Sequence, residues 1–195
     1  MKQSTVLPLI AAIVFAASGL FAQGIRVSGG LGLAFMLDDD ITDDMSDGGA
    51  GISTTYGLDV FGDYLLNDQV SVLLGLGYYT GSNEESGAEL TLSSLIITMG
   101  GRYCMDMDAL KITGMAGFQY ISTTAELSSS GFSSDSDDTA FGFLFGGGVA
   151  YDLGDGLSVG AEMRILVGAT YSDDEIPDDV AYDNVTLFFF ASKTF

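Results

Sequence analysis

The chain has 195 residues, a length suited to one domain, with 27 acidic residues against 6 basic ones, no histidine and a single cysteine. That balance argues against nucleic-acid binding, and a lone Cys104 leaves no internal disulfide framework. Yet hydrophobic residues make up 47% of the chain, too many for the disorder that acidity alone would imply.

The opening segment, MKQSTVLPLIAAIVFAASGLFAQG, carries Lys2, an apolar run from Val6 to Leu20, and small residues at Ala22 and Gly24. This is the plan of a secretory signal peptide, residues 1–24, cleaved near 22–24. The run is shorter than the roughly 20 apolar residues that span a bilayer as a helix. Losing Lys2 takes the formal charge from −21 to −22 for the domain 25–195. Nothing in that domain is apolar for long enough to be a spanning helix, so its apolar content predicts a closed barrel, the other structure that satisfies every backbone group in lipid.

Residues 25–37 alternate at period two: Val27, Leu31, Leu33 and Phe35 fall on one face, Arg26, Ser28 and Ala34 on the other. An acidic loop follows at 38–51, then a strand at 52–66 with Tyr56, Leu58, Val60 and Tyr64 opposite Asp59 and Asp63. Asn67 and Asp68 make a tight turn into a strand at 69–80, which leads to a second acidic loop at 81–87. The strand 89–103 has two apolar sets, Leu95, Ile97, Met99 and Tyr103 or Leu90, Leu92 and Ile96. A bulge would reconcile them; the first set sends Arg102 to the polar face. A short turn at 104–108, with Cys104 as an inert member, precedes a strand ending near Tyr120 and a serine-rich loop at 122–138. Phe141, Phe143 and Phe145 mark the strand 139–153, a glycine turn follows at 154–156, and the strand 157–171 alternates Val159, Ala161, Met163 and Ile165 with Glu162 and Arg164. After a loop at 172–183 the chain ends in NVTLFFFASKTF, one more strand. The count is eight, with short turns and long loops alternating.

Three features put the polar face inside and the apolar face in lipid. The polar positions are mostly small residues, as the crowded lumen of a narrow barrel requires. Seven tyrosines lie near strand ends on the apolar face, Tyr64, Tyr103 and Tyr151 beside the turns and Tyr56, Tyr78, Tyr120 and Tyr171 toward the loops, as two interfacial girdles would. Arg26, Arg102, Lys111 and Arg164 share the polar face with Asp59, Asp63, Asp152 and Glu162, where they can pair as a lumen charge network. Facing lipid, each Arg or Lys would cost about 2–4 kcal/mol at the midplane.

No catalytic constellation is present. Without histidine, no serine has a partner base at a recognisable spacing, so the chain reads as a non-enzyme. The acidic clusters at 38–47 and 173–179 lack an EF-hand spacing, and Gly29, Gly30 and Gly32 lie inside a strand rather than a phosphate loop, so neither metal nor cofactor is expected.

Leader, eight alternating strands, tyrosine girdles and terminal Phe195 together make the chain resemble the small bacterial outer-membrane β-barrels, the family of OmpA-type transmembrane domains, OmpX and opacity-like surface antigens. The resemblance implies an all-β, eight-stranded antiparallel up-and-down transmembrane barrel in the bacterial outer membrane. Its implied partners are outer-membrane lipid, the assembly machinery that reads Phe195 in the last strand, and host or envelope partners at the outer loops. Lys193 stands where the family usually has a hydrophobic residue. The functions to weigh are a non-enzymatic barrel with a plugged polar lumen and acidic outer loops that serves surface interaction, adhesion or envelope integrity, a narrow porin-like channel in which Gly142, Gly146 and Gly148 leave room for water, and a soluble lipocalin-like barrel.

Overall fold

The computed structural model describes residues 24–37, 54–85, 88–129, 132–171, 180–181 and 183–195. Residues 1–23 of the expected leader, the loop at 38–51, and residues 172–179 and 182 of the last loop lie outside them.

The strands are β1 (Ile25–Met36), β2 (Thr54–Leu65), β3 (Val70–Glu85), β4 (Ala88–Met107), β5 (Leu110–Ser129), β6 (Phe132–Gly154), β7 (Leu157–Tyr171), a two-residue β8 (Val180–Ala181) and β9 (Asn184–Thr194). The spanning strands pair antiparallel in chain order, and β8 only extends the ladder at the outer end of β7. β9 pairs with both β7 and β1, with Arg26 opposite Thr194 and Met36 opposite Asn184. Gly24 N–H donates to the Phe195 carbonyl and Phe195 N–H to that of Ile25, each at 2.9 Å. The ring of eight spanning strands is thereby closed, and no spanning edge is left to meet lipid.

Alternation decides the faces. Leu31, Leu74, Leu76, Met99, Phe141 and Phe189 are each more than half exposed, while Ser28, Asp59, Asp63, Ser71, Thr98 and Arg164 are buried. A protein with an apolar exterior and a charged interior is stable in lipid, not in water, which rules out the soluble lipocalin-like reading.

Three tight turns close one end. Asp155 and Gly156, at φ 52° and 75°, make the two-residue link between β6 and β7 that the type I′ hairpin favours. The Asn67 side chain accepts from the N–H groups of Gln69 and Val70 at 2.9 and 2.8 Å. The expected turn at 104–108 is only Asp108–Ala109, because Met105 and Met107 continue the outward alternation of β4. Cys104 is accordingly a buried, inward-facing ladder residue opposite Thr113, not a turn residue.

The other end departs further from expectation. β3 and β4 stay paired out to Glu85 and Ala88, and β5 and β6 out to Ser129 and Phe132. The loops expected at 81–87 and 122–138 are therefore mostly strand. Beyond the lipid Ser, Thr and acidic residues take over the outward face, and inside it Leu90, with Leu92 packed against it, is too short an apolar run to mark the ladder. Among the described residues β3 to β6 run on together past the ends of the other strands as a four-stranded sheet.

The ladder of β4 is regular on both sides, so no bulge is needed there. Leu95, Ile97, Met99 and Tyr103 face out while Leu90, Leu92 and Ile96 face in. The irregularities lie in the β6–β7 ladder, where Gly168 (φ 69°) and Ala169 stand against Gly142, and Leu153 is an extra residue between the Asp152–Ser158 and Gly154–Leu157 pairs.

Candidate functional site: the lumen

Residues two or four apart on a strand share a face, so β2 aims Asp59 and Asp63 inward, β7 aims Glu162 and Arg164, and β1 and β4 add Arg26 and Arg102. Their charged groups form one chain across the barrel. Arg26 Nε lies 3.5 Å from Asp63 Oδ2, and Arg102 Nη1 reaches the same oxygen at 2.7 Å. Arg102 Nη2 meets Glu162 Oε2 at 3.2 Å, and Glu162 Oε1 takes Arg164 Nε at 2.6 Å. Arg164 Nη1 then reaches Asp59 Oδ2 at 2.7 Å. Three positive and three negative groups cancel. Neutrality is what such burial demands, since an unpaired interior charge costs several kcal/mol. Lys111 and Asp152 make a separate pair at 2.7 Å, partly exposed near the tight turns.

Residues outside the expected network hold it in place. The guanidinium of Arg164 lies between two rings, 4.3 Å from the Phe61 centroid and 4.1 Å from that of Phe188. Tyr79 Oη donates to Asp59 Oδ2 at 2.7 Å, and Ser71 Oγ donates to Asp63 Oδ1 at 3.2 Å. Leu73, Met115 and Leu144 pack with the two phenylalanines. Toward the outer end Ala34, Tyr79, Ile96, Ile121 and Leu166 form a second apolar layer, in which Ile121 and Leu166 have no exposed surface.

Lumen glycines make recesses for these rings. A Cβ at Gly32 would fall 1.9 Å from Tyr79 Oη, and one at Gly75 would fall 2.3 Å from the Phe61 ring. The expected space for water at Gly142, Gly146 and Gly148 is taken up: their open sides face Ala169 and Leu166, Met115, and the Ala161–Glu162 backbone, all within about 3 Å. Adjacent apolar pairs carried the signal for this filling. In Leu73–Leu74, Tyr78–Tyr79 and Ile96–Ile97 one member must face in. Tyr79→Phe should lower stability by about 1.5–3 kcal/mol, the worth of a hydrogen bond to a charged acceptor. Urea titration of the folded gel band would read it, and an unchanged midpoint would mean that Asp59 does not depend on Tyr79.

On the outer wall, Tyr56, Tyr64, Tyr78, Tyr103, Tyr120 and Tyr151 are each 44% to 62% exposed. The side chain of Tyr171 lies outside the described residues. Tyr56 and Tyr64, eight apart on β2, are separated by about 20 Å along the normal for a strand tilted about 40°. Lys193 Nζ donates to the Asp155 carbonyl in the last tight turn, which ties the atypical lysine to the rim. Among the described residues no group of three or more acids or cysteines is placed to hold a metal ion.

The family model for the outer membrane protein beta-barrel domain matches residues 4–189. The chain belongs to that family. Solved outer-membrane barrels share its fold at low identity. Ail, the attachment invasion locus protein of Yersinia pestis, is 16% identical with a TM-score of 0.59, over 89% of this chain and 100% of that one. OprG from Pseudomonas aeruginosa is 17% identical with a TM-score of 0.64, over 89% and 96%. Neisserial surface protein A is 15% identical with a TM-score of 0.59, over 89% and 98%. No curated protein matches the chain. As an outer membrane beta-barrel protein, the chain has its tight turns on the periplasmic side and its projecting sheet outside.

Proposed function

We propose that this outer-membrane barrel is a non-enzymatic surface protein whose lumen is a plug and whose outer hairpins are its working surface. The observation that carries the reading is the unbroken chain of ion pairs from Arg26 to Asp59, capped on the outer side by Ile121 and Leu166. A conducting path would need these groups to part. In planar bilayers, preparations that show the heat-sensitive gel shift should give no current steps. Discrete, reproducible steps would replace this reading with the narrow channel.

The projecting sheet supplies the chemistry of the surface. On its outward face Glu84 stands opposite Glu89, and Glu126 opposite Asp135, with Asp137 nearby. Each of these side chains is exposed, and no lysine or arginine occurs in the outer segments of the sequence. Directly opposed like charges destabilise a sheet, so this face suits a cationic partner. Ail has been crystallised with the heparin analogue sucrose octasulfate, a polyanion, at 15% identity to this chain. The field here has the opposite sense. Vesicles carrying the protein should bind polylysine in a salt-sensitive way and ignore sucrose octasulfate; the reverse preference would remove the hairpins from the proposal.

A further inference from the structure

Below the ion-pair chain, on the periplasmic side, lies a cavity of about 10 Å³ whose lining includes Arg26, Arg102, Lys111, Thr113 and the hydroxyls of Ser28, Ser158 and Ser192. Four buried side-chain atoms among the described residues have no hydrogen-bond partner: Arg26 Nε, Arg102 Nε, Thr113 Oγ1 and Arg164 Nη2. Arg164 is stacked between phenylalanine rings. The other three all belong to residues that line this one cavity. Arg26 Nε touches Asp63 at 3.5 Å as an ion pair, too long for a good hydrogen bond.

We propose that the cavity is a binding site for one ordered water molecule, and that this water is a component of the plug. A guanidinium N–H can only donate, so the ligand must accept, and Thr113 Oγ1 can accept in return. The hydroxyls of Ser28, Ser158 and Ser192 surround the space, with Ser192 donating to Ser158 at 3.4 Å. Water both accepts and donates. Size and charge discriminate against the other small acceptor, a halide ion. The volume is about the least that admits a single water, and the arginines and the lysine are already matched by Asp63, Glu162 and Asp152. A halide would add one uncompensated negative charge to an interior that has none. Leaving the cavity dry would keep two cationic donors and a hydroxyl unpaired, each a costly buried group.

The test is a high-resolution crystal structure of the protein purified from outer membranes, grown with bromide in place of chloride and measured at the bromine absorption edge. The expected result is one density peak within hydrogen-bond distance of Arg102 Nε and Thr113 Oγ1, without anomalous signal. In Thr113→Val its occupancy should fall at least twofold while the Arg102–Asp63 and Arg102–Glu162 pairs persist. An anomalous peak would make the site an anion site and overturn the proposal, and so would an empty cavity in the wild type. Undiminished occupancy in Thr113→Val would also overturn it, because the water would then not depend on its acceptor. If that variant fails to fold, the wild-type map still decides.

Discussion

Arg164→Met should destabilise the barrel by about 3–5 kcal/mol, the usual result of removing one partner from a buried ion pair. Arg164 is 2% exposed and answers both Asp59 and Glu162. Its loss leaves Asp59 with only the Tyr79 hydroxyl, and Glu162 with Arg102 at the longer 3.2 Å. Methionine keeps most of the contact with Phe61 and Phe188, so the deficit is one of charge rather than of packing. The combination Arg164→Met, Asp59→Leu and Tyr79→Phe removes the orphaned carboxylate and its donor together, and should recover all but about 1–2 kcal/mol. Urea titration of the refolded barrel in vesicles, read by the gel shift, separates the cases. If the triple variant is as unstable as the single one, the guanidinium matters as a spacer and not as a counter-ion.

Gly30→Val should cost more than about 3 kcal/mol, beyond the usual range for an overpacked side chain, and should sharply reduce the yield of heat-shifted protein. Gly30 lies in β1 opposite Phe190 of β9, and a Cβ there would fall 1.9 Å from the Phe189 carbonyl oxygen and 2.7 Å from Phe190 Cα. Those are backbone atoms of the neighbouring strand. They cannot rotate away as a ring can, so the two strands would have to separate. Gly62→Val is the control. Gly62 faces outward on β2 with nothing within 4 Å of an added Cβ, and the change should stay within about 0.5 kcal/mol. Equal losses in the two variants would mean that strand propensity, not the β1–β9 approach, governs the effect.

Much of this was legible from period-two alternation, because lipid on one side and a crowded lumen on the other impose opposite demands on neighbouring residues. The spanning strands, their order and the inward phase of Arg102 all follow from it. Legibility fades where the demand fades. Above the membrane Ser122 to Asp138 is polar on both faces, and only backbone pairing reveals it as two strands. Inside, Phe61, Tyr79 and Phe188 were hidden because an apolar residue at an inward position looks like noise in the pattern. What makes room for Phe61 and Tyr79 is a set of glycines on other strands, brought close by topology rather than by spacing. Charge composition announced the inward cations, but not which carboxylate each would meet.

The closure of β9 on β1 also fixes an order of events. It joins the strands farthest apart in the chain, the kind of contact that forms slowest, and until it forms both strands carry an unpaired row of backbone groups. A half-inserted curtain of hairpins would strand those rows in hydrocarbon. Insertion and closure must therefore be nearly simultaneous. β7, which carries Glu162 and Arg164, sits next to β9, whereas Asp59 and Asp63 come from β2, next to β1. Until the sheet curls shut, these four side chains lie on opposite flanks of an open surface and remain hydrated. The final step of assembly is thus also the moment at which they shed water and meet, so ionic strength should act on the rate of that last step more than on the early collapse.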